Sequence, residues 1–82
     1  MNYELVSALM EHLEEEYEDI MSYGELIEKV KKHEHHELAH YLEMIKRDEL
    51  SHAEYIEMYL KRHDVPLSSK VLEEKEKYKR MM

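Results

Sequence analysis

Cysteine is absent from this chain, which excludes disulfides, thiolate zinc sites and redox dithiols as sources of stability or chemistry. Phe and Trp are missing too, leaving seven Met and seven Tyr to share the interior with the aliphatic residues. Met adapts well to irregular helical cores. One Gly and one Pro among 82 residues leave almost nothing to punctuate strands, and good helix formers such as Glu, Lys, Leu and Met dominate, so the fold class is all-α. Basic charge is also scarce: 12 Lys and Arg face 20 Asp and Glu, for a formal net charge of -8. That balance argues against a nucleic acid or an anionic membrane as partner and favours attraction of cations. No apolar run approaches a spanning length, and the acidic start MNYELVSALMEHLEEE lacks the regions of a signal peptide, so a cytoplasmic location is expected. A single domain of this size buries little surface on its own, and a partner chain or a metal is expected to make up the difference.

What the chain does have is helical period. Val6, Leu9, Leu13, Glu16, Ile20, Tyr23, Ile27 and Val30 recur in alternating steps of 3 and 4, the signature of one inward helical face. Asn2 is placed to cap this helix, and Glu4 falls in its first turn, where a carboxylate is favoured. Glu14, Glu15, Glu18 and Asp19 fall outside the stripe and read as a solvated acidic face. Gly24 interrupts the helix at a cost of roughly 1 kcal/mol relative to Ala, which a close helix contact or a slight bend would explain. A second stripe runs through Leu38, Leu42, Ile45, Glu49, His52, Ile56 and Tyr59. Between the two lies KKHEHHE, Lys31 to Glu37, where the apolar face slips by one residue, about 100° of rotation. A chain reversal near Glu34 fits that slip, giving an antiparallel hairpin over residues 1–64. The second helix should stop by Val65, because the residue before Pro66 is pushed out of the helical region. Residues 65–82 are then a short C-terminal helix or tail, capped by Ser68 or Ser69, with Val71, Leu72 and Tyr78 as a thin apolar edge. Glu73 with Lys77 and Glu76 with Arg80 are its expected surface pairs.

The chemistry concentrates in RDELSHAEYIEMYL, Arg47 to Leu60. Glu49 and His52 are three residues apart and leave one helix face together. Both fall on the inward stripe, and a buried carboxylate beside an imidazole is costly without a partner such as a divalent cation. A hairpin turning near Glu34 brings Glu16, the lone carboxylate of the first stripe, opposite this pair. Carboxylates with imidazole suit iron, manganese or zinc. The competing reading is a polar layer that sets register in a bundle. His12 and His63 read as boundary or core histidines, His33, His35, His36 and His40 as a solvated face at the turn, and Tyr55 and Tyr59 as packing residues.

Glu16 33 residues before Glu49-x-x-His52, with the run Asp48-Glu49-Leu50-Ser51-His52 and with Tyr23 seven residues after Glu16, resembles one half of a ferritin-like di-iron carboxylate protein over residues 5–64. Bacterioferritin and rubrerythrin are nearest in motif. That superfamily surrounds two metals with a Glu from each of two helices and Glu-x-x-His from each of two others. The resemblance implies that Glu16 is a terminal carboxylate ligand, Glu49 the bridging carboxylate, His52 the imidazole ligand and Tyr23 a hydroxyl close to the metals. Because one hairpin holds half a site, it implies a homodimer or higher homo-oligomer forming a four-helix bundle, as in the two-helix encapsulated ferritins. It also implies two irons per dimer-formed site and oxidation of Fe(II) to Fe(III) in iron handling or storage, with manganese or zinc as other occupants. Departures are visible. The apolar C-terminal docking peptide that would direct such a protein into an enclosing shell protein is not recognisable, Leu50 stands where bacterioferritins use a haem-binding Met, so no haem is expected, and rubrerythrin's extra iron site needs cysteines. A rubrerythrin-like peroxide scavenger and a helical assembly module with a structural dinuclear metal are the alternatives.

Overall fold

The structure, a computed structural model, describes residues 1–81 and is built from three helices: α1 (Tyr3–Lys32), α2 (His36–Arg62) and α3 (Ser69–Arg80). α1 begins where Asn2 Oδ1 accepts the Leu5 N–H at 3.2 Å, with Glu4 in its first turn and Lys29, Lys31 and Lys32 in its last. Charge thus matches the helix dipole at both ends.

The reversal centres on Glu34, as the phase slip predicts, although no glycine marks it. Glu34 itself takes the left-handed conformation at φ 65°, while its N–H reaches the Lys31 carbonyl at 2.9 Å and that of His35 reaches Val30 at 3.1 Å. This is a Schellman motif with glutamate where glycine is usual. α2 ends in the same way: Asp64 sits at φ 55°, with its N–H to Lys61 at 3.1 Å and the Val65 N–H to Leu60 at 2.9 Å. Pro66 follows in the link to α3, whose N-terminus is capped by Ser68 Oγ accepting the Val71 N–H at 3.2 Å.

Contacts between elements give the directions. Tyr17 meets Glu57 and Lys31 meets Glu43, so α2 runs antiparallel to α1. Met10 meets the Ser68 N–H, Glu14 meets Lys70, and Tyr17 meets Tyr78, so α3 runs parallel to α1, docked on it. One core cluster joins Met10, Leu13, Tyr17, Ile20, Ala53, Leu60 and Val71, so α3 shares the interior of the hairpin. A smaller one near the turn joins Ile27, Ala39 and Leu42. Of the expected apolar edge of α3, Val71 is fully buried and Tyr78 half-buried, while Leu72 faces out. Lys77 pairs with Glu73 at 3.8 Å and more closely with Glu74 at 3.2 Å. The expected Glu76 and Arg80 pair does not form among the described residues.

The α1 stripe is inward as expected, but the α2 stripe is so only at Leu42 and, half-buried, at Glu49 and Ile56. The buried residues of α2 are Ala39, Leu42, Ala53 and Leu60, whereas Leu38, Ile45 and Tyr59 are 48%, 41% and 51% exposed. The inner line is rotated by one position because the small side chains of Ala39 and Ala53 let α2 approach α1 closely, leaving the larger residues on its flank. Tyr55, expected to be a packing residue, is 70% exposed. Gly24 has no crowding to explain it, since a Cβ there would meet only Lys46 Nζ at 3.8 Å. Gly24→Ala is therefore expected to stabilise the chain by about 1 kcal/mol, read as a raised midpoint in urea with an unchanged slope. A destabilised variant would mean that α1 needs glycine at this point.

Candidate metal centre

Glu16 sits mid-way along α1 on its inner face and is 93% shielded, with 7% relative exposure. The antiparallel pairing sets it against Glu49 and His52 on α2, and one ligand atom from each of the three lies within 4.8 Å of the others. Burial falls from Glu16 through half-buried Glu49 to exposed His52. His52 was expected to point inward; the rotation of α2 places it on the flank, in line with Leu38, Ile45 and Tyr59 at seven-residue spacing. The cluster therefore opens towards the side on which the hairpin leaves apolar residues uncovered.

Its electrostatics are those of an incomplete site. Glu16 Oε2 is buried with no hydrogen-bond partner, and a buried carboxylate oxygen left in that state is costly. The Glu49 carboxyl is held above its ordinary value, first by a hydrogen bond to Glu16, then by burial and by the Glu16 charge, with His52 and His12 opposing. Two carboxylates sharing one proton is what such a pair does when no cation lies between them. Burial with two close carboxylates and an imidazole fits the donor set of iron, manganese or zinc.

A pH dependence follows. With its folded value raised, Glu49 favours the folded chain below the ordinary carboxylate value of about 4.3, and that contribution is lost as pH rises through the raised value. Without metal, Glu49→Gln, which has no proton to lose, should gain stability over the wild type as pH increases from 4 towards neutrality. Thermal melts of the two proteins over that range check this; parallel curves would mean that Glu16 and Glu49 share no proton.

Tyr23 lies two turns beyond Glu16, half-buried against the Ile27, Ala39 and Leu42 cluster. It makes no hydrogen bond to Glu16, Glu49 or His52 among the described residues. His12 is no core residue: it is exposed and touches Glu16. His63 caps the end of α2 with its ring 4.6 Å from that of Tyr59. His33, His35, His36 and His40 are exposed around the turn, as expected. Of the acidic residues read as solvated, Glu15, Glu18 and Asp19 are exposed, while Glu14 is half-buried and faces Lys70 at 4.0 Å.

One polar group escapes sequence reasoning. The Tyr17 hydroxyl donates to Glu57, which also pairs with Lys75 of α3 at 2.6 Å. Burial, and then the bond to Glu57, hold the phenol well above the ordinary tyrosine value. This network ties α3 to the hairpin and depends on where α3 docks, which no spacing within the chain encodes. It borders a groove of about 940 Å³ between α2 and α3 that none of Glu16, Glu49 and His52 lines. No family model, curated protein or solved structure matches this chain, so what the centre does is argued from its own residues.

Proposed function

We propose that two copies of the chain join through the flank bearing Glu16, Glu49 and His52 to form a ferritin-like four-helix bundle, and that the dinuclear centre so completed oxidises Fe(II) to Fe(III). The observation that carries this reading is the partnerless, buried Glu16 Oε2 beside Glu49 and His52 at an uncovered helix flank. One chain supplies two carboxylates and one imidazole; two-fold symmetry doubles that set to the complement used by di-iron carboxylate bundles.

Iron is the substrate and supplies the electrons: two Fe(II) each give one electron to dioxygen, which takes up two protons and leaves as hydrogen peroxide. The residues of the chain do the rest. Glu16 and Glu49 offset the added positive charge, and their hard oxygens favour the ferric product. As the ferritin-like resemblance implies, Glu49 would bridge and Glu16 would hold a terminal position. His52 would fix each iron from the flank, and Tyr23, which makes no hydrogen bond to the cluster among the described residues, would serve to intercept one-electron by-products. Zinc binds the same donors without redox chemistry and should therefore inhibit.

The test is metal content and stoichiometry. Protein from iron-replete cells should carry iron, and anaerobic Fe(II) titration should saturate at about two irons per two chains, the number that a dinuclear site on one two-fold axis holds. Glu49→Ala and His52→Ala should each abolish that stoichiometric binding, while replacing His35 and His36 should leave it intact. Variants that still bind two irons would overturn the ligand assignment.

A further inference from the structure

Glu16 is approached from one side by His12, one turn earlier on α1, whose Nε2 lies 2.9 Å from Oε1. The imidazole is half exposed and the carboxylate almost wholly buried. The two oxygens of Glu16 are therefore unlike, since Oε1 has a nitrogen at hydrogen-bonding distance and the buried Oε2 has no donor while Glu49 is ionised. His12 stands outside the group of atoms that converge as ligands, which closes with Glu16, Glu49 and His52 alone.

We propose that His12 is a positioning residue that occupies Glu16 Oε1 and so restricts Glu16 to binding a metal ion through Oε2. The proposal rests on the dinuclear reading given above and adds a constraint on how the site is filled. A carboxylate free to turn chelates with both oxygens, which raises the coordination number and suits calcium, a cation that takes six to eight oxygens. With Oε1 in contact with the His12 nitrogen at 2.9 Å, chelation would require displacing that imidazole. Each metal ion then has one oxygen fewer from the protein, a lower coordination number, and a vacant position for an exogenous ligand. Partners of this kind, outside the ligand set itself, typically alter metal affinity 10–100-fold when removed.

Cobalt(II) is a suitable probe, because its visible absorption is strong in four- or five-coordinate sites and weak in six-coordinate ones, and needs no turnover. The wild type, His12→Leu and His12→Gln would be titrated with Co(II) and then challenged with Ca(II). Gln keeps an N–H donor at this exposed position and Leu does not. Wild type and His12→Gln are expected to give the same band. His12→Leu should give a weaker one and yield to Ca(II) at about 10-fold lower concentration. An unchanged band and unchanged calcium competition in His12→Leu would overturn the proposal while leaving the dinuclear reading intact. Loss of Co(II) binding in His12→Gln, matching His52→Ala, would overturn it by making His12 a ligand. Failure of the wild type to bind Co(II) at all would overturn the dinuclear reading and this one with it.

Discussion

At low micromolar concentration the chain should sediment as a dimer or larger, and Ile45→Lys should sediment as a monomer. Leu38, Ile45 and Tyr59, three of the apolar side chains that α2 leaves uncovered, share a seven-residue spacing with His52 on the flank that carries the cluster. Each is exposed by two-fifths or more. The described residues, 47 Å long and 19 Å wide, place no other element there, because α3 docks on α1 by way of Val71 and Tyr78. In a two-fold dimer each of these residues is buried twice. Full burial of an Ile side chain contributes about 1.5–3 kcal/mol and Ile45 has 41% of its surface left to bury, so its loss from both chains weakens association by roughly 1.2–2.4 kcal/mol, about 8-fold to 60-fold in Kd. The lysine adds desolvation of two like charges near the axis. A well-folded wild-type monomer, or an Ile45→Lys dimer of unchanged affinity, would exclude this face as the interface and leave the metal site half built.

That face was legible in the sequence for a reason that also explains what was not. The spacing of large apolar residues on α2 picked out Leu38, Ile45, His52 and Tyr59, which line the uncovered flank, and passed over Ala39 and Ala53, which make the contact with α1. A pattern weighted by side-chain size finds the surface with most area to cover, whereas the intrachain seam was chosen by how closely two backbones approach. Glu49 lies on both lines, which is why the Glu16, Glu49 and His52 cluster emerged despite the rotation. The caps at Asn2 and Ser68 and the stop at Pro66 were legible because each rests on local chemistry. The reversals at Glu34 and Asp64 carry no glycine although both residues are left-handed; only the break in phase revealed the first. The Tyr17, Glu57 and Lys75 network was invisible because it joins three helices whose relative docking is a property of the packed core.

Oxidation itself should show the largest effect of any single substitution. Aerobic addition of Fe(II) to the wild type is expected to give a rapid absorbance rise that consumes about two irons per two chains in the first turnover, as a single dinuclear site requires. Glu49 is the residue on which this depends most, since it is close to Glu16, carries the raised proton affinity and lies between the buried and open sides of the cluster. Truncating it deletes a carboxylate from each chain, leaving two irons with half of their charge compensation in a partly buried site. Losses of at least 10–100-fold accompany removal of even indirect metal partners, so the initial rate of Glu49→Ala should fall by about 100-fold or more. Zinc added before iron should suppress the wild-type rate, and substitution of His35 and His36 at the turn should not change it. Stopped-flow absorbance of the wild type against Glu49→Ala separates the two leading readings. If their rates are equal, or neither exceeds oxidation of Fe(II) in buffer, the centre is a structural metal site in a helical assembly module, with Glu16, Glu49 and His52 holding two chains in register.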